Sequence, residues 1–339
     1  KILRFLLFPF AILYDLITSI RNFLFDVKIF KSTKFDVPII AVGNLSVGGT
    51  GKTPQIEYLI NLLQNDTKVA VLSRGYKRKT KGFILLNNSH SAEDVGDEPI
   101  QFFKKFSSIQ VAVDANRTNG ITQLLNQKNK PDVILLDDAF QHRKVTAGFY
   151  VLLTKYNDLY SDDFLLPTGN LRESRRGAKR ADVIVVTKCP KDISDIEKNE
   201  IQKQLKTFKN QQVFFSTISY SDTVIGEKEI ATKQLVDKEL VLVTGIANPK
   251  PMLEFLDKLK VKYHHINFPD HHHFTESDIN KIKSQFDLIS SLDKIILTTE
   301  KDYMRLASKI DELYYLPIET KFLENSKNFD KQIEEFIKR

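Results

Sequence analysis

The segment Ser46, Val47, Gly48, Gly49, Thr50, Gly51, Lys52, Thr53 has the composition of a loop that holds phosphate. Its glycines let backbone N–H groups turn toward phosphate oxygens, and a helix starting just after them adds the positive end of its dipole. Lys52 is spaced to reach the β- and γ-phosphates of a nucleotide, and the Thr53 hydroxyl to bind Mg2+. The usual pattern, G-x-x-x-x-G-K-S/T, has glycine where this chain has Ser46. The context compensates, because a β-rich run at 37–42 precedes the loop and a helical pattern at 55–63 follows it. Such a site also needs an acid that orients the metal. Residues 132–140 read DVILLDDAF, four consecutive apolar residues ending at Asp137 and Asp138. A run this apolar suits a parallel strand covered on both faces, and open α/β sheets bind ligands at the carboxyl ends of their strands. Either carboxylate is suited to Mg2+, directly or through water, with the other contacting the nucleotide or the attacking group. A helix cap or turn carrying two Asp is the plain alternative. Gln141 and His142 follow at once, toward the same crevice.

An acceptor side would need further groups. Asp97 lies in VGDEP, in a loop before a helix that Pro99 can open. Five of the seven histidines, His264, His265, His271, His272 and His273, fall in one stretch. They suit either a surface loop or a transition-metal site completed by Asp270 or Glu276. The basic runs at 76–81 (YKRKTK) and 172–180 (RESRRGAKR) read as solvated faces or as an RNA-contacting patch with Tyr76 interleaved.

These groups need a scaffold, and the hydrophobic pattern outlines one. The runs 38–42, 68–72, 83–86, 110–114, 132–136, 149–153 and 182–187 read as strands, with helical patterns at 54–64, 98–106 and 115–127. That alternation predicts an α/β fold of the P-loop NTPase type, a mostly parallel sheet with helices on both faces. Residues 192–209 read as a charged amphipathic helix and 212–225 as a strand pair linking two halves. A second, smaller α/β unit follows, with strands at 240–245, 261–266 and 294–299 and helices at 251–259, 276–284 and from 301. The expected division is an N-terminal amphipathic segment (1–34), a P-loop domain (35–210), linker strands (211–239) and a smaller domain (240–339), with substrate lying between the two domains.

The N-terminal run 5–14 (FLLFPFAILY) is free of charge but shorter than the ~20 residues of a membrane-spanning helix. Beyond it, Asp15, Ser19, Asn22 and Asp26 recur at helical spacing, leaving Leu16, Ile17, Ile20, Phe23 and Leu24 on an apolar face. Lys1, Arg4, Arg21, Lys28, Lys31 and Lys34 surround the stretch. Such a segment suits a helix lying in a lipid interface against anionic headgroups, or else a packed core helix. The absence of a small-residue cleavage site argues against a signal peptide.

Composition sets the outer bounds. A chain of 339 residues suits roughly two domains, and 42% hydrophobic residues exclude wholesale disorder. Fifty Lys+Arg against 43 Asp+Glu leave +7, short of a dedicated nucleic-acid arm. The single cysteine, Cys189, excludes an intrachain disulfide framework and a multi-Cys zinc site, and fits a reducing cytosol.

Seven motifs occur in order: VGNLSVGGTGKTP at 42–54, SRGY at 73–76, VGDEP at 95–99, DDAFQHR at 137–143, LLPTGNLRE at 165–173, FPDHH at 268–272 and TTEKD at 298–302. Together they resemble the tetraacyldisaccharide 4'-kinase family of the lipid A pathway, over most of the chain up to about residue 305. The resemblance implies transfer of the γ-phosphate of ATP, with Mg2+, to the 4'-hydroxyl of a tetraacylated glucosamine disaccharide 1-phosphate. It implies work at the cytoplasmic face of the bacterial inner membrane, with a lipid surface as partner, no nucleic acid and no obligate protein partner. Asp97 is implied as the base, assisted by His271, with His272 the alternative; closure would bring the two expected domains together. Lys52, Asp137, Asp138 and Arg172 complete the implied catalytic set, and Ser46 to Thr53 hold the nucleotide. Thr53 and Asp138 are the implied metal ligands, and Arg74, Gln141, His142, Arg172 and Glu173 the implied substrate contacts. Ala139 stands where the family usually has glycine, implying a slightly different turn. Two rivals are a partitioning or membrane-targeting P-loop ATPase, whose additional loop lysine would fall at Val47, and a nucleic-acid-binding NTPase with steep salt dependence. Neither accounts for Asp97, His271 and the ordered motifs.

Overall fold

Runs of Val, Ile and Leu that are apolar on both faces become interior strands, because only a sheet covered by helices on both sides buries every residue of such a run. The computed structural model describes residues 4, 6–208, 210–270 and 272–339, so His271 lies outside the described residues. In chain order the strands are β1 (Ile39–Asn44), β2 (Val69–Ser73), β3 (Ile84–Leu85), β4 (Gln110–Val113), β5 (Val133–Asp137), β6 (Phe149–Lys155), β7 (Val183–Thr187) and β8 (Gln212–Tyr220). There follow β9 (Thr223–Ile225), β10 (Glu229–Ala231), β11 (Glu239–Thr244), β12 (Lys262–Asn267), β13 (Lys294–Thr299), β14 (Leu313–Leu316) and β15 (Ile318–Phe322). The first sheet has the order β15-β8-β7-β6-β1-β5-β2-β4-β3 and the second β10-β9-β14-β13-β11-β12. Both are mostly parallel, as the alternation predicts.

The chain divides into two units, 1–218 with 320–339 and 219–319. This differs from the expected boundaries at 211–239 and 240–339. The strand pair expected at 212–225 is split, β8 joining the first sheet and β9 the second. The C-terminal tail, where no motif was legible, returns to the first unit through β15 and the helix Ser326–Ile337. Aromatic burial explains the return: Phe329 packs edge-on against Tyr58 and Phe214 at 5.9 and 5.3 Å, and the Tyr58 hydroxyl donates to Asp330 at 2.7 Å. Two of the chain's 24 phenylalanines, Phe214 and Phe329, are buried here.

In the first sheet the chain runs from β1 to β2 across the later β5, and from β5 to β6 across β1. The carboxyl ends of β1 and β5 therefore flank the point where the winding reverses, which is where open α/β sheets leave a ligand crevice. The register sets Val42 level with Asp137 and Leu72 level with Leu136.

The N-terminal helix spans Phe8–Asp26, with Pro9 in its first turn, where a missing N–H costs nothing. It docks in an inverted sense. Ala11, Thr18 and Phe25 are buried and Tyr14, Arg21 and Asn22 reach protein partners, whereas Leu13, Leu16, Ile17, Ile20 and Phe23 are each at least half exposed. By length and composition it is apolar enough to cross a membrane, and little of it is buried in the protein.

Candidate active site

The phosphate loop leaves β1 at Asn44 and enters the helix Lys52–Leu63. Gly48 and Gly51 have φ of 102° and 89°, backbone conformations that favour glycine. A Cβ added at Gly48 or Gly49 would meet nothing within 4 Å, so the loop opens onto free space, a cradle of the size phosphate oxygens need. Its carbonyls are tied back to the sheet: Thr187 Oγ1 donates to the Thr50 carbonyl at 2.7 Å, and Lys188 Nζ to the Gly49 carbonyl at 2.9 Å. Among the described residues the buried Thr50 Oγ1 and Asn44 Nδ2 have no hydrogen-bond partner, which fits a loop that binds an anion.

Asp138 stands across from this loop. It takes φ of 47°, the left-handed conformation Asp tolerates better than most residues. The turn that carries it approaches β1 so closely that a Cβ at Gly43 would lie 2.6 Å from that of Phe140. Because Asp138 is the left-handed residue, Ala139 in the usual glycine place carries no such conformational demand. Residues 164–172 run beside the loop, with Val47 N donating to the Asn170 carbonyl at 2.8 Å and Arg172 N to the Leu45 carbonyl at 2.7 Å. This strap brings the Arg172 guanidinium onto Asp138 through two hydrogen bonds of 3.0 and 2.8 Å, with a third to Asn44 Oδ1. Lys52 Nζ lies 3.6 Å from the same carboxylate.

The adjacent carboxyls differ in acidity. Burial pushes the Asp138 carboxyl up, but the Arg172 hydrogen bonds and the charges of Lys52, Arg172 and Arg117 outweigh it and hold it at about 2. Asp137 is pushed up to about 6, first by burial and then by the charge of Asp138, although Ser73 Oγ donates to it at 2.8 Å. Asp138 is thus the more acidic of the two. The Thr53 hydroxyl at the start of the helix and the Asp138 carboxylate are oxygen donors of the kind Mg2+ takes beside phosphate.

Asp97 is half-buried and opens the helix Asp97–Lys105. Gly96 before it, with φ of 98°, packs against Gly75 and Tyr76 in the loop after β2. Arg74 is exposed in that loop. The charge of Glu98 contributes to raising Asp137, so the helix start lies within electrostatic range of the paired carboxylates. Gln141 donates to the Asn44 carbonyl at 2.8 Å and to Glu173 at 2.9 Å. The His142 imidazole is held neutral, its pKa lowered to about 4 by burial and then by the charges of Arg117, Lys144, Arg21 and Arg74. Its Nε2, like Gln141 Oε1, is buried without a hydrogen-bond partner among the described residues.

Two expected contacts are placed differently. Glu173 is implied as a substrate contact, yet it is 1% exposed and accepts from Arg180, Gln141 and Asn22 at 2.8–2.9 Å. Its carboxylate is committed to the protein, because a buried charge needs partners on every side. His272, the alternative to His271, stacks on Phe268 and pairs with Asp278 at 3.0 Å. Among the described residues no group of three or more His, Cys, Asp or Glu side chains assembles a metal site, so the histidine stretch does not form the transition-metal alternative there.

The sequence did not single out Asn44, Ser73, Arg117 or Lys188. Arg117 is fully buried and donates to the Asp137 carbonyl at 3.0 Å, which fixes the end of β5. Its place within DANRTNG reads as an ordinary polar helix start, and only the register of β5 reveals the role. Ser73 alone had a signal, since the last residue of a strand beside β5 must face its carboxyl end.

A glycine cradle at a helix start, an invading lysine and a carboxylate held ionised by an arginine at a topological switch point define a P-loop phosphotransferase. A family model described as tetraacyldisaccharide-1-P 4'-kinase matches residues 3–338. Relatives named tetraacyldisaccharide 4'-kinase include one from Flavobacterium johnsoniae, 57% identical over 100% of this chain and 98% of its own length. One from Bacteroides thetaiotaomicron is 44% identical over 98% of this chain and 93% of its own. The crystal structure of LpxK from Aquifex aeolicus in complex with ATP superposes with a TM-score of 0.81 at 32% identity, covering 99% of both chains. The chain belongs to the tetraacyldisaccharide 4'-kinase family.

Proposed function

We infer that the protein is an ATP-dependent lipid kinase, transferring the γ-phosphate of ATP to the 4'-hydroxyl of a tetraacylated glucosamine disaccharide 1-phosphate in lipid A biosynthesis. The observation that carries this reading is the whole-length family match together with the open phosphate loop facing the Lys52–Asp138–Arg172 cluster. It favours a kinase over a partitioning-type ATPase. Mg2+, held by Thr53 and Asp138, would offset the negative charge of the nucleotide's phosphates.

The residue roles follow from chemistry. Residues 46–53 cradle the nucleotide, and Lys52 meets the charge that develops on the transferred group. Thr53 and Asp138 hold the cation, and Arg172 keeps Asp138 ionised and in place. Asp97 receives the proton of the 4'-hydroxyl as the new P–O bond forms and the bond from the γ-phosphorus to the β-phosphate oxygen breaks, with ADP leaving. Arg74, Gln141 and His142 offer polar groups to the sugar and its phosphate, His142 as a neutral imidazole. Asp137, reluctant to ionise, supports Asp138 from inside the sheet.

The lipid acceptor gives the inverted N-terminal helix a purpose. Leaving a Leu, Ile or Phe side chain in water forfeits about 1.5–3 kcal/mol each, so a row of them calls for an apolar cover. A cytoplasmic membrane surface supplies that cover and concentrates the acceptor beside the site.

Incubation with γ-labelled Mg·ATP and the disaccharide 1-phosphate in detergent micelles should yield a bisphosphorylated lipid. ATP binding without transfer would overturn the assignment. Replacing Ile17 and Ile20 by Glu, both at least half exposed, should abolish flotation with anionic vesicles while leaving the folded core intact. Undiminished flotation would remove the membrane role of this face.

A further inference from the structure

The polar side of the N-terminal helix does more than hold an anchor. The Tyr14 hydroxyl donates to the backbone carbonyl of Arg172 at 2.9 Å. About two turns on, Arg21 donates to the carbonyl of Gln141 at 2.7 Å and Asn22 Nδ2 to Glu173 Oε2 at 2.9 Å. These three side chains recur at helical spacing on the docked face, around the buried Thr18. Their acceptors lie in two segments, 138–142 and 172–173. Those are the segments whose side chains form the Arg172–Asp138 pair. The helix thus bridges the two backbones at the residues that bear, or adjoin, the ion pair.

A lipid anchor needs none of this, since an apolar helix on a flexible tether would bind a membrane equally well. Tyr14 also lies away from the exposed apolar row of Leu13, Leu16, Ile17 and Ile20. Among the described residues its hydroxyl bonds to the Arg172 carbonyl alone.

We propose that Tyr14 is a positioning residue for phosphoryl transfer: by holding the Arg172 carbonyl it sets the guanidinium on Asp138, so that a seated N-terminal helix is a condition of an aligned active site. The proposal rests on the catalytic role given to Arg172 above. A hydroxyl–carbonyl bond is short and directional, and misplacing a side chain at a reacting centre lowers rate more than binding.

The test uses the full chain. Tyr14→Phe should lower kcat for lipid phosphorylation by about 3- to 10-fold, the equivalent of one ordinary hydrogen bond. KM for ATP and flotation with phosphatidylglycerol vesicles should stay at wild-type values. In an Arg172→Ala background, followed by single-turnover transfer of labelled phosphate, the same substitution should have almost no further effect. Wild-type kcat in Tyr14→Phe, an equal loss in both backgrounds, or a parallel loss of flotation would each overturn the proposal. Wild-type activity in Arg172→Ala alone would instead overturn the role of Arg172.

Discussion

Each unit of the molecule contains a buried parallel strand that runs through a glycine-bearing loop into a helix opened by lysine. In the first unit β1 leads through Gly48, Gly49 and Gly51 to Lys52; in the second β11 leads through Gly245 to Lys250. Only the first has the features of an anion site. A Cβ at Gly48 or Gly49 would enter open space, whereas at Gly245 it would sit 3.0 Å from Asp302 Oδ1. The Gly245 N–H donates to Asp302 Oδ2 at 2.8 Å, and Thr299 Oγ1 donates to the same oxygen at 2.7 Å. The second loop has a built-in anion, a fully buried carboxylate, where the first leaves its cradle for a ligand. Strand, loop and helix are therefore a common scaffold, and phosphate binding depends on whether the protein satisfies the loop's donors itself.

The contrast can be broken by experiment. The largest effect should come from the two helix-opening lysines. Lys52→Ala should lower kcat by about 10²- to 10³-fold, the cost of one preorganised charge stabiliser. Lys250→Ala, which removes only an exposed 3.6 Å pair with Glu254, should leave kcat unchanged, and a comparable loss would erase the distinction.

The next largest effect concerns the buried groups beside the open crevice. His142 titrates at about 4 when folded and near 6.5 when unfolded, so between those values the unfolded chain binds more protons. Stability should therefore rise with pH across that window. Urea midpoints at pH 4.5 and 7 should differ less in His142→Gln than in the wild type. An identical pH response would mean that the imidazole is not held neutral.

The smallest effect is expected at the closed loop. Asp302→Ala strands the Gly245 N–H and should cost about 1–3 kcal/mol, read by urea titration. Asp302→Asn keeps an acceptor and should stay within about 1 kcal/mol of the wild type. Burial raises the Asp302 pKa although the Gly245 and Thr299 bonds oppose it, so its contribution to stability declines as pH rises through the raised value. The Asn variant should lack that decline. Equal losses in both variants would show that the charge, and not the acceptor, matters.

Much of the first unit was legible because its signals are local. The run VILLDD announces a buried strand with acids at its end, and GGTGKT announces a loop and a helix start within a dozen residues. The inward face of the N-terminal helix was harder to read. Asp15, Ser19, Asn22 and Asp26 mark a polar face, but a soluble helix turns such a face to water, and here Asn22 reaches the buried Glu173. Glu173 looked like a substrate contact because its three partners come from Asn22, Gln141 and Arg180, far apart in sequence. The C-terminal tail carried only an ordinary amphipathic pattern, and its return to the first unit depends on aromatic partners, Tyr58 and Phe214, more than a hundred residues upstream.

By itself the sequence determined the chemistry on offer: a phosphate loop, paired carboxylates, an arginine strap and an apolar N-terminal run, each encoded within a few consecutive residues. Tertiary structure decided which of these act together. Asp138 is more acidic than Asp137 because Arg172 hydrogen-bonds to it and Lys52 lies 3.6 Å from it, an arrangement made by a left-handed backbone and a strap pairing with the loop. Charge state depends on burial and on partners distant along the chain, and neither quantity exists until the chain has folded.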